Sequence, residues 1–316
     1  MHTIRDASAV RVSIVVPCYG SGDWIDELVR RVGEAMADTD GGFELILVND
    51  ATPDAETWPA IRKQAEGVAW VRAVDLLGNV GQFRALMCGL ELARGEIVVT
   101  MDDDLQHPPE EVPRLVSSLE ADPSLDAVIG SYASKEHSSV RNVGTRVVSS
   151  IYARSYGKPA GLQTTSFRAM RRPLVDAILA NGTVRPVMGA LILQSTKRVV
   201  NIPVEHHPRQ RGRSGWRPGR LVGTVVDNVV NASTAPLRLV SMLGLLTWVI
   251  ALGLAIYYLI RALTGELVPG FATLALLVLF FGGTNLLAIG VLGEYAARIV
   301  TEVTDPPRWV VREQVE

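Results

Sequence analysis

The sequence predicts an α/β fold: a mostly parallel sheet with helices on both faces, followed by an interfacial helix and a two-helix transmembrane hairpin. Three observations carry this. Between residues 12 and 130, short β-branched apolar runs alternate with helix-length amphipathic stretches, the pattern of βαβ units. One of those runs, Glu96-Ile97-Val98-Val99-Thr100-Met101, leads straight into three carboxylates, Asp102, Asp103 and Asp104. Finally, no charged residue occurs from Leu239 to Ile260 or from Leu267 to Gly293. Each of those runs exceeds the ~20 residues that cross a hydrocarbon core.

Taken in order, Val12 to Pro17 is a strand, apolar almost throughout and closed by a proline turn. Trp24 to Ala37 has the spacing of an amphipathic helix, and Phe43 to Val48 is a second strand ending at Asn49-Asp50. A helix near Ala55 to Gln64, a strand from Val68 to Val74 and a helix from Gly81 to Ala93 follow. The fourth strand is Ile97 to Met101; a helix from Glu110 to Leu119 and a strand from Asp126 to Gly130 extend the pattern. No internal repeat or low-complexity segment interrupts it. The expected division is a globular domain over residues 1–215, an interfacial helix over 216–237, the hairpin over 238–295 and a tail over 296–316.

A net charge of −2 implies no polyanionic partner such as nucleic acid. Two cysteines, Cys18 and Cys88, fit a reducing compartment and buried thiols better than a disulfide framework or a nucleophile. The apolar run Val12 to Val16 is too short for a signal peptide and has no small-residue cleavage site, so the globular domain is expected in the cytosol.

Along the fourth strand side chains alternate faces, so Asp102 and Asp104 are expected to point the same way while Asp103 points opposite. Carboxylates so close repel one another unless a cation or proton sits between them. Hard oxygen ligands at a strand end suit Mg²⁺ or Mn²⁺, which keep positions open for water and substrate phosphates. The competing reading is a solvated acidic turn capping the helix that begins near Pro108-Pro109-Glu110. Pro17-Cys18-Tyr19-Gly20 and Asn49-Asp50 fall at carboxyl ends of strands too, where open α/β sheets bind ligands. An aromatic ring and a carboxylate there suit a base and ribose. The turn Gly78-Asn79-Val80-Gly81-Gln82 opens a helix whose free N–H groups suit a phosphate, unless its glycines merely punctuate a turn. There is no P-loop and no dinucleotide glycine fingerprint, so neither NTP hydrolysis nor hydride transfer is indicated. The histidines His107, His206 and His207 have no partner at zinc-ligand spacing and read as turn and scaffold residues.

The blocks Ile14-Val15-Val16-Pro17-Cys18-Tyr19, Leu47-Val48-Asn49-Asp50-Ala51-Thr52, Asn79-Val80-Gly81-Gln82 and Met101 to Glu110 together resemble family-2 glycosyltransferases of the GT-A (Rossmann-like) fold. More narrowly, the chain resembles polyprenyl-phosphate glycosyltransferases such as dolichyl-phosphate mannose synthases and bacterial undecaprenyl-phosphate glucosyl and aminoarabinose transferases. The resemblance implies that Asp102, Asp104 and Gln106 surround Mg²⁺ or Mn²⁺. It implies further that Pro17, Tyr19 and Asp50 line the nucleotide pocket, together with Asn79, Gln82 and Asp102. Arg141, Arg168, Arg209 and Ser214 are the residues it assigns to the phosphates, with Arg209 and Ser214 in the loop Arg209-Gln210-Arg211-Gly212-Arg213-Ser214-Gly215-Trp216. Guanidinium groups grip phosphate bidentately. This chain departs from the family's usual pattern in having Gly20-Ser21 after the tyrosine, so that a nucleotide contact is either missing or moved to Asp23, and in having Asn49 in place of an Asp. It also lacks a carboxylate in Gly161 to Ser166, where the family often has an Asp.

Leu221, Val222, Val225, Val226, Val229 and Val230 form a stripe opposite Thr224, Asp227, Asn228 and Asn231, as in a helix lying in a membrane interface. Basic residues flank the apolar runs, against Arg261 alone between them, which puts both termini in the cytosol. Asn285 and Gly282-Gly283 suit helix–helix packing. The expected activity is inverting, metal-dependent transfer of a sugar from a nucleotide-diphosphate donor, UDP favoured over GDP, to polyprenyl phosphate. The location would be the cell membrane, with a homo-oligomer (a tetramer by family analogy) as the assembly. The rival readings are a processive polysaccharide synthase, for which Ser214 stands where a Trp belongs, and a non-catalytic membrane-anchored nucleotide-sugar-binding protein.

Overall fold

The computed structural model describes residues 10–132, 157–159, 161–181, 183, 187–205, 235–264, 270–303 and 308–316. The chain divides into two compact units, Met1–Trp216 with Pro306–Glu316, and Arg217–Asp305. The residues expected to form a tail therefore return in part to the first unit.

The first unit is a mixed α/β sheet covered by helices. Its strands are β1 (Val12–Cys18), β2 (Phe43–Asn49), β3 (Val71–Leu76), β4 (Ile97–Thr100), β5 (Ala127–Ser131), β6 (Arg168–Arg171), β7 (Val199–Pro203) and β8 (Val311–Val315). Its helices are α1 (Ile25–Ala35), α2 (Thr57–Gly67), α3 (Gln82–Leu92), α4 (Val112–Ala121), α5 (Arg172–Ala180) and α6 (Met188–Ser195). The strand order is β7-β5-β6-β4-β1-β2-β3-β8. β1 pairs parallel with both β2 and β4, and β2 parallel with β3. β6 runs antiparallel between β4 and β5, and β8 antiparallel along β3. The sheet is therefore less uniformly parallel than the sequence pattern implies.

The expected elements through β5 are present, with ends shifted by a few residues. Every residue of β1 and β3 is buried, as a strand covered on both faces requires. The largest side chains of the core, Phe167, Ile14, Ile25, Leu28 and Met36, are fully buried. The consequential shift is at β4, which stops at Thr100, so Asp102 to Asp104 lie in a turn and strand alternation does not set their directions. Nor does the acidic triplet cap the next helix. The short 3₁₀ turn Pro109–Glu111 has Pro108 at its N-cap and no side-chain cap bond.

The second unit contains two long helices, α7 (Ala235–Leu263) and α8 (Phe271–Val303), of 29 and 33 residues. Taken over the described residues, no helix is long and apolar enough to cross a membrane, so the transmembrane character expected from the sequence is not shown by the fold. The expected interfacial helix lies outside the described residues up to Thr234, and α7 begins at Ala235.

Helix α3 sits close on β1 and β2 because Gly89 has no side chain: a Cβ there would overlap Val15 Cγ1 and come 3.2 Å from Val48 Cγ2. Since a packed core resists an added methyl, Gly89→Ala should lower stability by about 1–3 kcal/mol. Thermal unfolding of the full chain in detergent checks this; an unchanged midpoint would contradict so tight a contact.

Candidate active site

The chain lays down β1, β2 and β3 in one direction, then returns to place β4 on the other side of β1. That reversal opens a crevice at the carboxyl ends of β1 and β4, the place where open α/β sheets bind ligands. The tip of β1 supplies Pro17 and Tyr19, and the turn after β4 supplies the acidic triplet.

Partners from three other segments, and from the turn itself, fix it in place. The Tyr19 N–H donates to Asp103 Oδ2 at 2.9 Å. Gln82 Nε2, in the first turn of α3, donates to Asp102 Oδ1 at 2.7 Å. Ser166 Oγ, just before β6, donates to Asp102 Oδ2 at 2.6 Å. The Asp102 N–H donates to His107 Nδ1 at 3.1 Å, which closes the turn on itself. Asp104 Oδ1 accepts the Gln106 backbone N–H at 3.2 Å. Between them, buried Leu105 holds φ at +57°, a left-handed conformation uncommon for a side chain of this kind and a strain typical of functional turns.

His107 is a structural staple. Its ring is buried and stacked on Phe167 at 5.1 Å and on Tyr132 at 5.9 Å, and its Nδ1 accepts a hydrogen bond, so that nitrogen carries no proton. Burial pushes the Asp103 carboxyl up to about 6; the Tyr19 N–H opposes the shift, and the neighbouring Asp102 and Asp104 charges add to it. Burial also pushes both thiols up, Cys88 to about 12, which leaves the cysteines inert as expected.

Arg168 lies beneath the turn, where it is 3 % exposed, and not on an open surface as a phosphate grip would require. Its Nε donates to the Ser166 carbonyl at 3.3 Å, and among the described residues its buried Nη1 has no hydrogen-bond partner. Burial lowers it to about 10, while the negative charge of Asp102 pulls the other way. It acts as a buried positive charge behind Asp102.

Asp50 and Asn79 are brought together, but the Asp50 carboxylate is turned to the backbone of the turn that follows Asn79. Its two carboxylate oxygens accept Val80 N–H at 2.7 Å and Gly81 N–H at 2.8 Å, and Asn79 Nδ2 donates to the Asp50 carbonyl at 3.1 Å. The carboxylate thus docks the glycine turn onto the end of β2, with Gly81 at φ +88° allowing it. The Tyr19 ring stays exposed at the crevice rim. Arg141, Arg209 and Ser214 lie outside the described residues. Sequence reasoning missed Ser166 and the anchoring role of Asp103. A lone Ser ahead of a short strand carries no signal at the level of pattern, whereas three carboxylates in a row could have prompted the question of what restrains the middle one.

Among the described residues, no group of three or more His, Cys, Asp or Glu side chains converges on a metal position. Two carboxylates and an amide are too thin a set for zinc. They fit a hard cation that keeps its waters and takes further oxygens from a substrate phosphate.

Residues 13–179 match the family described as Glycosyl transferase family 2. The chain is 32% identical, over 98% of its length and 95% of the relative's, to the undecaprenyl-phosphate 4-deoxy-4-formamido-L-arabinose transferase of Salmonella choleraesuis (strain SC-B67). The enzyme of that name from Salmonella paratyphi B matches to the same extent. Among solved structures, glucosyl-3-phosphoglycerate synthase from Mycobacterium tuberculosis, in complex with Mn²⁺, uridine diphosphate and phosphoglyceric acid, superposes with a TM-score of 0.52 at 20% identity. It covers 72% of this chain and 79% of its own.

The raised Asp103 carboxyl has a signed consequence. Between an ordinary carboxylate value and about 6, the folded state holds a proton that the unfolded state has lost, so in metal-free buffer the contribution of Asp103 to stability falls as pH rises across that window. Comparing melting temperatures from pH 4 to 6.5 in chelator should show Asp103→Asn losing this component, and identical profiles would contradict it.

Proposed function

The chain belongs to glycosyl transferase family 2, and from that premise we propose that this glycosyltransferase moves a sugar from a nucleotide-diphosphate donor to polyprenyl phosphate with inversion. The observation that carries the reading is the acidic turn at the tip of β4, pinned from β1, α3 and β6 and set at the sheet's switch point.

The chemistry asks little of a base. A lipid monophosphate is already anionic at neutral pH, so one of its oxygens attacks the anomeric carbon directly. The bond from that carbon to the nucleotide diphosphate breaks as the new one forms, on the opposite face. This accords with the absence of a carboxylate in Gly161 to Ser166. Asp102 and Asp104, with Gln106 near, would hold Mg²⁺ or Mn²⁺, whose charge offsets that gathering on the departing diphosphate. The Mn²⁺ and uridine diphosphate of the solved neighbour on this fold support a divalent cation and favour a UDP-sugar.

The protein's own groups do the positioning. Gln82 and Ser166 orient Asp102, and the buried Arg168 guanidinium lies behind the turn. Tyr19 offers its exposed ring to the base, with Pro17 shaping the turn beneath it; the Asp50–Asn79 pair fixes the glycine turn that walls the nucleotide site. Arg141, Arg209 and Ser214 are assigned to the phosphates of acceptor and donor.

We assign α7 and α8 to a membrane hairpin with both termini cytosolic, at the cell membrane. Supporting this are the uncharged runs Leu239 to Ile260 and Leu267 to Gly293. Large exposed apolar side chains add to it, among them Leu245, Trp248, Leu286 and Ile289. Homo-oligomerisation through the hairpin belongs to the same proposal.

Transfer of labelled sugar into organic-extractable lipid, from a panel of nucleotide sugars with a short polyprenyl phosphate, tests the reading. Asp104→Asn should cut the rate by about 100-fold or more. An undiminished rate would remove the metal assignment, and a water-soluble polymer as the product would favour a processive synthase.

A further inference from the structure

The strand that joins the sheet last lies beside the nucleotide side of the crevice. β8 pairs with β3 through Ala73–Val315, Val74–Gln314, Asp75–Glu313 and Leu76–Val311, with a bulge between Asp75 and Leu76. The bulge turns Arg312 toward the end of β3. There its Nη1 donates to Asp75 Oδ2 and its Nη2 to the Leu77 carbonyl, both at 2.9 Å.

Asp75 is a buried carboxylate, its side chain 1 % exposed. Its other oxygen, Oδ1, accepts Asn49 Nδ2 at 2.7 Å. Asn49 Oδ1 in turn accepts Thr52 Oγ1–H at 2.8 Å, and Thr52 Oγ1 accepts the Gly20 N–H at 3.3 Å. Gly20 follows Tyr19, whose own N–H holds Asp103. An unbroken chain of hydrogen bonds and one peptide link therefore runs from Arg312 across the tips of β3, β2 and β1 to the acidic turn. Asn49 is the hinge of this chain: its amide donates to one neighbour and accepts from the other, which a carboxylate at that position could do only by taking up a proton. The substitution that departs from the family's usual Asp is thus matched to Asp75 and Arg312.

We infer that Arg312 is a positioning residue for the nucleotide, acting through Asp75 and Asn49 on the Pro17–Gly20 turn. The inference rests on the nucleotide-sugar reading above. Without the guanidinium, the buried Asp75 carboxyl loses its ion-pair partner among the described residues, Asn49 loses its fixed acceptor, and the turn that presents Tyr19 loosens. The far end of the same strand provides the control. Glu316 pairs there with Arg72 at 2.8 Å and Arg94 at 3.0 Å, at the opposite ends of the strands from the crevice.

Binding of uridine diphosphate and guanosine diphosphate with Mn²⁺ to the full chain in detergent, by calorimetry, reads this directly. Arg312→Gln should weaken the nucleotide that binds by about fivefold to tenfold, Arg312→Lys should restore part of the loss, and Glu316→Gln should lower the melting temperature without changing nucleotide affinity. Nucleotide affinity unchanged in Arg312→Gln overturns the inference, as does an equal loss in Glu316→Gln, which would mean that β8 merely stabilises the sheet. Lipid transfer measured on the same samples separates the two proposals. Weakened nucleotide binding in Arg312→Gln with no lipid product from the wild-type chain sinks the acceptor assignment and leaves this coupling standing.

Discussion

Three successive carboxylates at the end of a strand repel one another, and a turn that keeps them in place must be held against that repulsion. Here the restraint comes from hydrogen bonds that reach in from separate parts of the chain. Tyr19 N–H on Asp103, Gln82 and Ser166 on Asp102, and the His107 ring beneath the Asp102 N–H tie β1, α3 and β6 to the tip of β4. The geometry of the crevice follows from that tethering. The carboxylate that faces inward is spent on structure, the outer two are left with oxygen lone pairs to give, and the strain at Leu105 is carried by the surrounding contacts. A charged, rigid, partly desolvated cradle is what a divalent cation and a diphosphate together can satisfy.

The same logic separates the two ends of the sheet. At the crevice, buried charges are arranged around a place a ligand can take. At the opposite ends of the strands they are closed on one another: Arg72 pairs with Glu44 at 2.9 Å, and Ser13 Oγ donates to Glu44 at 2.6 Å. Buried ion pairs of that kind contribute little net stability but fix register, because breaking one partner leaves an unpaired charge in the interior. The returning strand β8 has a foot in both regions through Glu316 and Arg312. A short edge strand can in this way tie the closed end of the sheet to its open one.

Much of the first unit was legible from hydrophobic pattern alone, since β1 to β5 are apolar runs bounded by turn residues. β6 was missed because Arg168 and Arg171 bracket a strand only four residues long, and its burial comes from β4 and β5 on either side, not from its own composition. β8 was missed because Val311-Arg312-Glu313-Gln314-Val315 reads as solvated tail; its charges are edge-strand charges whose partners lie more than two hundred residues away. At the site, the acidic triplet was found but what directs its side chains was not, since alternation ceases to apply where β4 stops at Thr100 and the Tyr19 N–H holds Asp103 instead. Asp50 was legible as a site residue and illegible as a clamp on the Gly78–Gln82 turn, because backbone acceptors leave no mark in a sequence.

The divalent cation proposed at Asp102 and Asp104 is seen most directly by electron paramagnetic resonance of Mn²⁺ titrated into the full chain with uridine diphosphate present. One saturable site per chain, lost in Asp102→Ala and in Asp104→Ala while Gly89 and the fold are left as they are, is the result expected. Saturable Mn²⁺ binding of the same stoichiometry and strength in both variants would place the cation elsewhere and contradict the assignment.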